Sequence, residues 1–440
     1  MQKNICNSTT EKVHFSKLKL LNLIRIFFCF ILLLLLIFQY GNAQPWQQLG
    51  PGAGGQERAV YMHKNVAGNY VLYVGSDVSG VWRSSGINPN DIVNPNQFQY
   101  KYISNHELTR FINKFCRPTA YTSDYLFVAN RSGIDRIDLK NENNPMQNVL
   151  LNSEYWISDI FICKSNPANS LKHKSYAITG NTRIDQEEKS KPLASFDFYE
   201  FDLGQDELSY TNLKGYNISN FTSTNRNIYA LVCDDNNSSD HNDDKFIVGT
   251  DKGLYDFIYT DLNGTTVNAN YIAGPPGVTG DYIVSSIFKT DVDKYLVTIY
   301  GVGLYLYQPG TGTIWTNMIT TLGVTNTCNN IVGAIDDIPV VRQFTKVLPV
   351  KNPTSGTLEG FLLVHTRGNV DLPSFGNTYV GLYYSGQSGG QPDGNWCALR
   401  ANSNVNNDYG WNASKPCANP NGILLTDNNY ILQASRVIFL

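Results

Sequence analysis

The pattern that most constrains this chain is a short hairpin that recurs along it. Its clearest copy is Tyr70 to Ser84, YVLYVGSDVSGVWRS: a strand to Gly75, a tight turn over Ser76-Asp77-Val78-Ser79, and a second strand opened by Gly80. β-Branched and aromatic residues suit a pleated strand, and glycine at the re-entry point suits a turn that needs positive φ or close backbone approach. Copies follow at Phe246 to Tyr255, Leu126 to Ile134 and Tyr295 to Tyr305. Looser copies with longer turns join Tyr176-Ala177-Ile178-Thr179 to Phe196-Asp197-Phe198-Tyr199, and Phe361 to His365 to Val380 to Tyr384, and the last spans Tyr430 to Phe439. Seven hairpins at this spacing match the ~40 to 50-residue period of propeller blades once loop insertions are allowed.

The expected fold is therefore all-β: a seven-bladed β-propeller over residues 44–440. Blades are expected from Ala59 to Ser104, Arg110 to Leu150, Trp156 to Leu213, Asn227 through the hairpin at Phe246, Tyr282 to Trp315, Val340 to Leu399, and Gly422 to Leu440. The last shows three strands, and Trp46-Gln47-Gln48-Leu49 has the pattern of the outer strand Trp396-Cys397-Ala398-Leu399. Pairing of N- and C-terminal strands in one sheet would close the ring and leave no unpaired edge.

Composition agrees with a β-rich globular chain: 27 Tyr, 21 Phe and 6 Trp, with charged residues at only 16%. A net charge of −3 supplies no basic field, so nucleic acid is not an expected partner. Residues 17–43 carry a signal-peptide pattern, with Lys17, Lys19 and Arg25 ahead of an apolar run from Ile26 to Phe38, then Gly41 and Ala43 before Gln44. The apolar run is short for a membrane span of ~20 residues, so the expectation is a secreted chain with no membrane association beyond the leader; an uncleaved anchor is the alternative.

Six cysteines follow the leader, and Cys397 and Cys417, flanking one Asn-rich loop, are the expected disulfide pair. No CxxC or His/Cys spacing suggests zinc, and no cofactor is expected. The run Asp234 to Asp244 is oxygen-rich but lacks the central Gly and terminal Glu of an EF-hand loop, so it reads as a surface loop without a metal.

Trp46, Gly50, Gly54-Gly55 and then Leu72 to Arg83 resemble the opening of the two-propeller xyloglucan hydrolases and related sialidase-like repeat proteins. The resemblance implies that Asp77 corresponds to one of two catalytic carboxylates. The sequence departs from that pattern at Ser79, where a Gly is usual, and at Gly75, where an Arg is common. The second carboxylate of those enzymes comes from a second propeller, for which this chain has too few residues. Sialidase chemistry would further need a cluster of arginines, for which Arg83, Arg110, Arg117 and Arg131 are available. The leading expectation is a non-enzymatic module that binds a glycan or an extracellular protein through loops on one face. Trp82, Trp396, Tyr409 and Trp411 are its candidate binding aromatics, and a polysaccharide hydrolase using Asp77 is the alternative.

Overall fold

The structure is a computed structural model. It describes residues 57–434 apart from the segments 77–78, 89–98, 105–110, 119–121, 152–154, 166–171, 181–195, 220–226, 235–239, 311–313, 323–333, 336–343, 352–356, 366–381, 400–421 and 426–430.

Six sheets built on four antiparallel strands follow one another along the chain; four have those strands alone, while the third and sixth are extended to six and seven strands, each with one parallel pairing. Their first strands are Glu57–Lys64, Ile112–Cys116, Ile157–Ser165, Ile228–Asp234, Val284–Asp291 and Phe344–Lys351. Each first strand packs beside the first strand of the next sheet, which makes it the inner strand of a blade. The recurrent hairpin supplies the second and third strands, as in Lys245–Thr250 with Gly253–Ile258 and Lys294–Ile299 with Gly303–Tyr307. This is a β-propeller.

The expected count of seven blades is corrected to six. Of the expected seventh blade, the first two strands are described: Gly422–Leu425 pairs with Ile431–Ala434 in a two-stranded sheet beside the inner strand of blade one, and the second arm of the hairpin expected over Tyr430 to Phe439 lies outside the described residues. The hairpin pattern reports only the two middle strands of a blade. Counting hairpins therefore assigns a whole blade to Tyr430 to Phe439 from a pattern that does not report the flanking strands. Trp46 to Leu49, assigned above to the closing sheet, and the third strand expected over 436–440 lie outside the described residues.

All six inner strands carry a β-bulge at the same position, one residue after the first paired residue. The extra residue is Arg58, Asn113, Ser158, Tyr229, Ser285 and Thr345 in blades one to six. A bulge bends the strand and redirects its side chains. Three of these side chains reach the first residue of the next inner strand: Asn113 Nδ2 donates to Ile157 O at 2.6 Å, Ser158 Oγ to Ile228 O at 2.9 Å and Ser285 Oγ to Phe344 O at 2.9 Å. Because these groups are buried, each bond satisfies a carbonyl that would otherwise be stranded between blades.

The core is a set of layers between adjacent sheets. Tyr176 and Phe198 of blade three interleave with Phe246 and Phe257 of blade four, and Leu296 and Leu306 of blade five pack against Phe344, Phe361 and Leu363 of blade six. Burying each such side chain contributes about 1.5–3 kcal/mol. Close approach explains the glycine that recurs in the second strands. A Cβ on Gly75 would lie 2.5 Å from Ile112 Cγ2, and one on Gly249 would lie 2.5 Å from Val284 Cγ1.

Candidate binding site at the axial mouth

Past the bulge, the next position of each inner strand is Ala59, Lys114, Asp159, Ala230, Ser286 and Lys346. Three of these six are charged, and they converge. Lys114 Nζ lies 2.5 Å from Asp159 Oδ2 across the boundary between blades two and three. Asp159 Oδ1 accepts the Ile160 N–H at 2.8 Å and the Cys116 thiol at 3.5 Å. Burial works against the Lys114 charge, but Asp159 more than offsets it, and the ammonium is held above its ordinary range. Burial first and the Asp159 charge second push the Cys116 thiol up to about 12, so it is a neutral donor and no nucleophile.

Lys346 comes from blade six, which does not adjoin blade two, yet its ammonium feels Lys114, Asp159 and Cys116. It has no ion pair among the described residues. Burial, followed by repulsion from Lys114, lowers it to about 8. Among the described residues, two ammoniums thus lie within electrostatic reach of one carboxylate.

The rim is built from Phe111 and Trp156, the residues immediately before the inner strands of blades two and three, and from Arg131 in the turn after the strand Tyr125–Asn130. There the Arg131 guanidinium sits between two rings, 3.1 Å from the Phe111 centroid and 4.2 Å from that of Trp156. Backbone bonds hold the trio: Arg131 N–H donates to Phe111 O at 3.1 Å, and Trp156 N–H donates to Arg131 O at 3.2 Å. Trp156 has φ of 39°, a left-handed conformation that a bulky residue adopts only under constraint, and such strain gathers at functional positions. In blade four the rim continues with Tyr229 and Asp251. One oxygen of Asp251 is buried without a partner, and burial raises this carboxyl to about 6.

Of the aromatics expected to bind, the two that are described, Trp82 and Trp396, lie elsewhere. Trp82 is half-buried on the third strand of blade one, edge-on to Tyr102 at 5.4 Å, with its Nε1 donating to Ser79 Oγ at 3.1 Å. Trp396 is an interior residue, 1% exposed, with Nε1 donating to Met318 O at 2.8 Å. Its hydrogen-bonded indole fills the layer between blades five and six, so it presents no face to a ligand. Asp77, Tyr409, Trp411, Cys417 and the side chain of Cys397 lie outside the described residues, and with them the expected catalytic carboxylate and disulfide. Arg131 is brought to the rim, whereas Arg83 of blade one is nearly buried. Sequence reasoning missed Phe111, Lys114, Trp156, Asp159 and Lys346. Aligning the hairpins and stepping back to the preceding strand would have put Lys114, Asp159 and Lys346 in one register.

No family model and no curated protein matches the sequence. Among solved structures the chain is similar to the extracellular domain of a one-component system, BT4673, of B. thetaiotaomicron, with 13% identity and a TM-score of 0.48 over 90% of this chain. The chain spans 40% of that domain's length. It is also similar to the WD40 β-propeller domain of Doa1, at 11% identity, TM-score 0.45, 89% of this chain and 95% of that one. YCF48 bound to D1 peptide is similar at 8% identity and TM-score 0.47, over 90% and 93% of the two chains. These neighbours share the propeller architecture. The resemblance drawn from residues 46–86 stays at that architectural level.

Proposed function

We propose that this chain is a secreted, non-enzymatic binding module that takes an acidic glycan at the axial mouth. The observation that carries the reading is Lys346, an ammonium within electrostatic reach of the Lys114–Asp159 pair and without an ion pair among the described residues. A carboxylate or sulfate entering the axis would supply the missing charge, in a confined space where the attraction is stronger than in bulk water. Phe111 and Trp156 offer ring faces for a sugar, and their grip on Arg131 fixes the plane of a guanidinium fork suited to planar anions. The leader pattern over residues 17–43 supports export. The hydrolase alternative depends on Asp77, which lies outside the described residues.

The test is a glycan array of uronate, sialylated, sulfated and neutral glycans, followed by titration of the best ligand. Selective binding of acidic glycans that weakens at least tenfold in Lys346→Met and with added salt is the expected result. Binding confined to neutral glycans, or unchanged in Lys346→Met, would overturn the reading. Retention of a protein partner with no glycan binding would move it to protein recognition.

A further inference from the structure

At the far end of the same inner strands, about 20 Å from the rim at strand rise, blades three and four bring together three side chains distant in sequence. Cys163 lies near the end of the inner strand Ile157–Ser165. His241 and Asp244 belong to the turn between the first two strands of blade four, where a short 3₁₀ segment, His241–Asp243, is capped by Asp240. The Asp240 side chain accepts from Asn242 N–H at 3.1 Å, and Asp244 N–H donates to His241 O at 3.2 Å, which sets the imidazole over the carboxylate.

Asp244 is the hub. Its side chain is fully buried; Oδ2 lies 3.2 Å from His241 Nδ1 and 3.9 Å from Cys163 Sγ, and accepts the Tyr176 hydroxyl at 2.7 Å. The other oxygen, Oδ1, is buried with no partner. A stranded carboxylate oxygen in an aromatic layer is costly unless a cation or donor reaches it. The sulfur, imidazole nitrogen and carboxylate oxygen of the three residues all lie within 4.8 Å of one another.

We propose that Cys163, His241 and Asp244 bind a divalent transition metal of zinc type. Metal–ligand bonds of ~2.0–2.3 Å in a tetrahedral site separate ligand atoms by about 3.3–3.8 Å, and the distances from Asp244 Oδ2 to its two neighbours bracket that range. A thiolate with an imidazole selects zinc-like ions, whereas calcium and magnesium take oxygen ligands. On binding, the Cys163 thiol gives its proton to solvent. His241 coordinates through Nδ1 in the tautomer that keeps its proton on Nε2. The half-buried His241 leaves an entry route from the surface, and the ion would tie the inner strand of blade three to the first turn of blade four. The site is separate from the axial mouth, and glycan binding does not bear on it.

The full chain, stripped with chelator, is titrated with Co²⁺ alone and then with Zn²⁺. The expected result is a thiolate-to-cobalt charge-transfer band with tetrahedral ligand-field bands, saturating near ~1 equivalent and bleached by Zn²⁺. His241→Gln and Cys163→Ser should weaken binding by at least ~100-fold. Because Cys163 is buried, His241→Gln, at a side chain 13% exposed, carries the test if Cys163→Ser fails to fold, with native circular dichroism as the control. A natively folded wild type without the band would overturn the proposal. So would a band that survives in folded His241→Gln, or a mass showing Cys163 already joined to Cys233.

Discussion

Asn113 places its side-chain nitrogen 2.6 Å from the carbonyl oxygen of Ile157, so the bulged residue of one blade closes the backbone of the next. Both residues are buried, and the bond has equivalents from Ser158 and Ser285. Asn113→Ala leaves the Ile157 carbonyl without this donor and should cost about 1–3 kcal/mol. Urea unfolding monitored by tryptophan fluorescence should show a lower midpoint with little change in slope. Ser158→Ala should behave alike, and its effect should add to that of Asn113→Ala only in part, because both bonds brace the inner strand of blade three.

Lys346 makes stability depend on pH. Its folded value of about 8 lies below the ordinary 10.5, so between those values the unfolded chain binds one more proton at this site than the folded chain. Stability contributed by this group therefore rises with pH across that window, and the full penalty stands below pH 8. Cys116, raised from 9.0 to about 12, acts in the opposite direction above pH 9. The difference between wild type and Lys346→Met isolates the lysine: the variant's advantage in urea midpoint at pH 7 should shrink by pH 10. Ligand binding at the mouth should weaken over the same rise, as the ammonium loses its proton.

Gly249→Ala tests the close approach of blades four and five. The added Cβ would meet Val284 Cγ1 at 2.5 Å, and overpacking of this kind costs about 1–3 kcal/mol. Val284→Ala opens a cavity by itself, yet combined with Gly249→Ala it removes the 2.5 Å contact with Cγ1, leaving the Val284 Cβ at 3.0 Å. The double variant should unfold at a higher urea concentration than the sum of the two single effects implies.

Two tryptophans should separate packing from recognition. Trp396→Ala empties a fully enclosed site and strands the Met318 carbonyl, so thermal unfolding should report a loss of about 3–5 kcal/mol. Trp156→Ala at the half-buried rim should keep a native circular dichroism spectrum and lose glycan binding. If both variants fold and bind as wild type, the rim is not the site.

The middle hairpins of blades one, two, four and five were legible in the sequence, whereas the fourth strand of blade four, Asn270–Ile272, and the added strands of blades three and six were not read. The hairpin expected from Leu126 to Ile134 is the strand Tyr125–Asn130 turning into Gly133–Asp138. Alternating apolar residues and glycine turns are local signals and survive in a single sequence. The rim and axis were harder to read because no signal marks a lone lysine on an inner strand. Lys114 and Lys346 stand among apolar neighbours like any other edge residue of a strand. The run ending at Asp244 read as an oxygen-rich loop because its sulfur partner, Cys163, lies 81 residues away.

The sequence alone determined that the chain would build short antiparallel sheets in order along itself, since strand period and turn chemistry act between residues a few positions apart. Only the tertiary structure decided that the blades number six, that bulged residues bridge neighbouring blades, and that Lys114, Asp159 and Lys346 come within electrostatic reach of one another. The reason is geometric: arranging the sheets around an axis turns equal register on separate strands into proximity, and a one-dimensional pattern carries register without carrying distance.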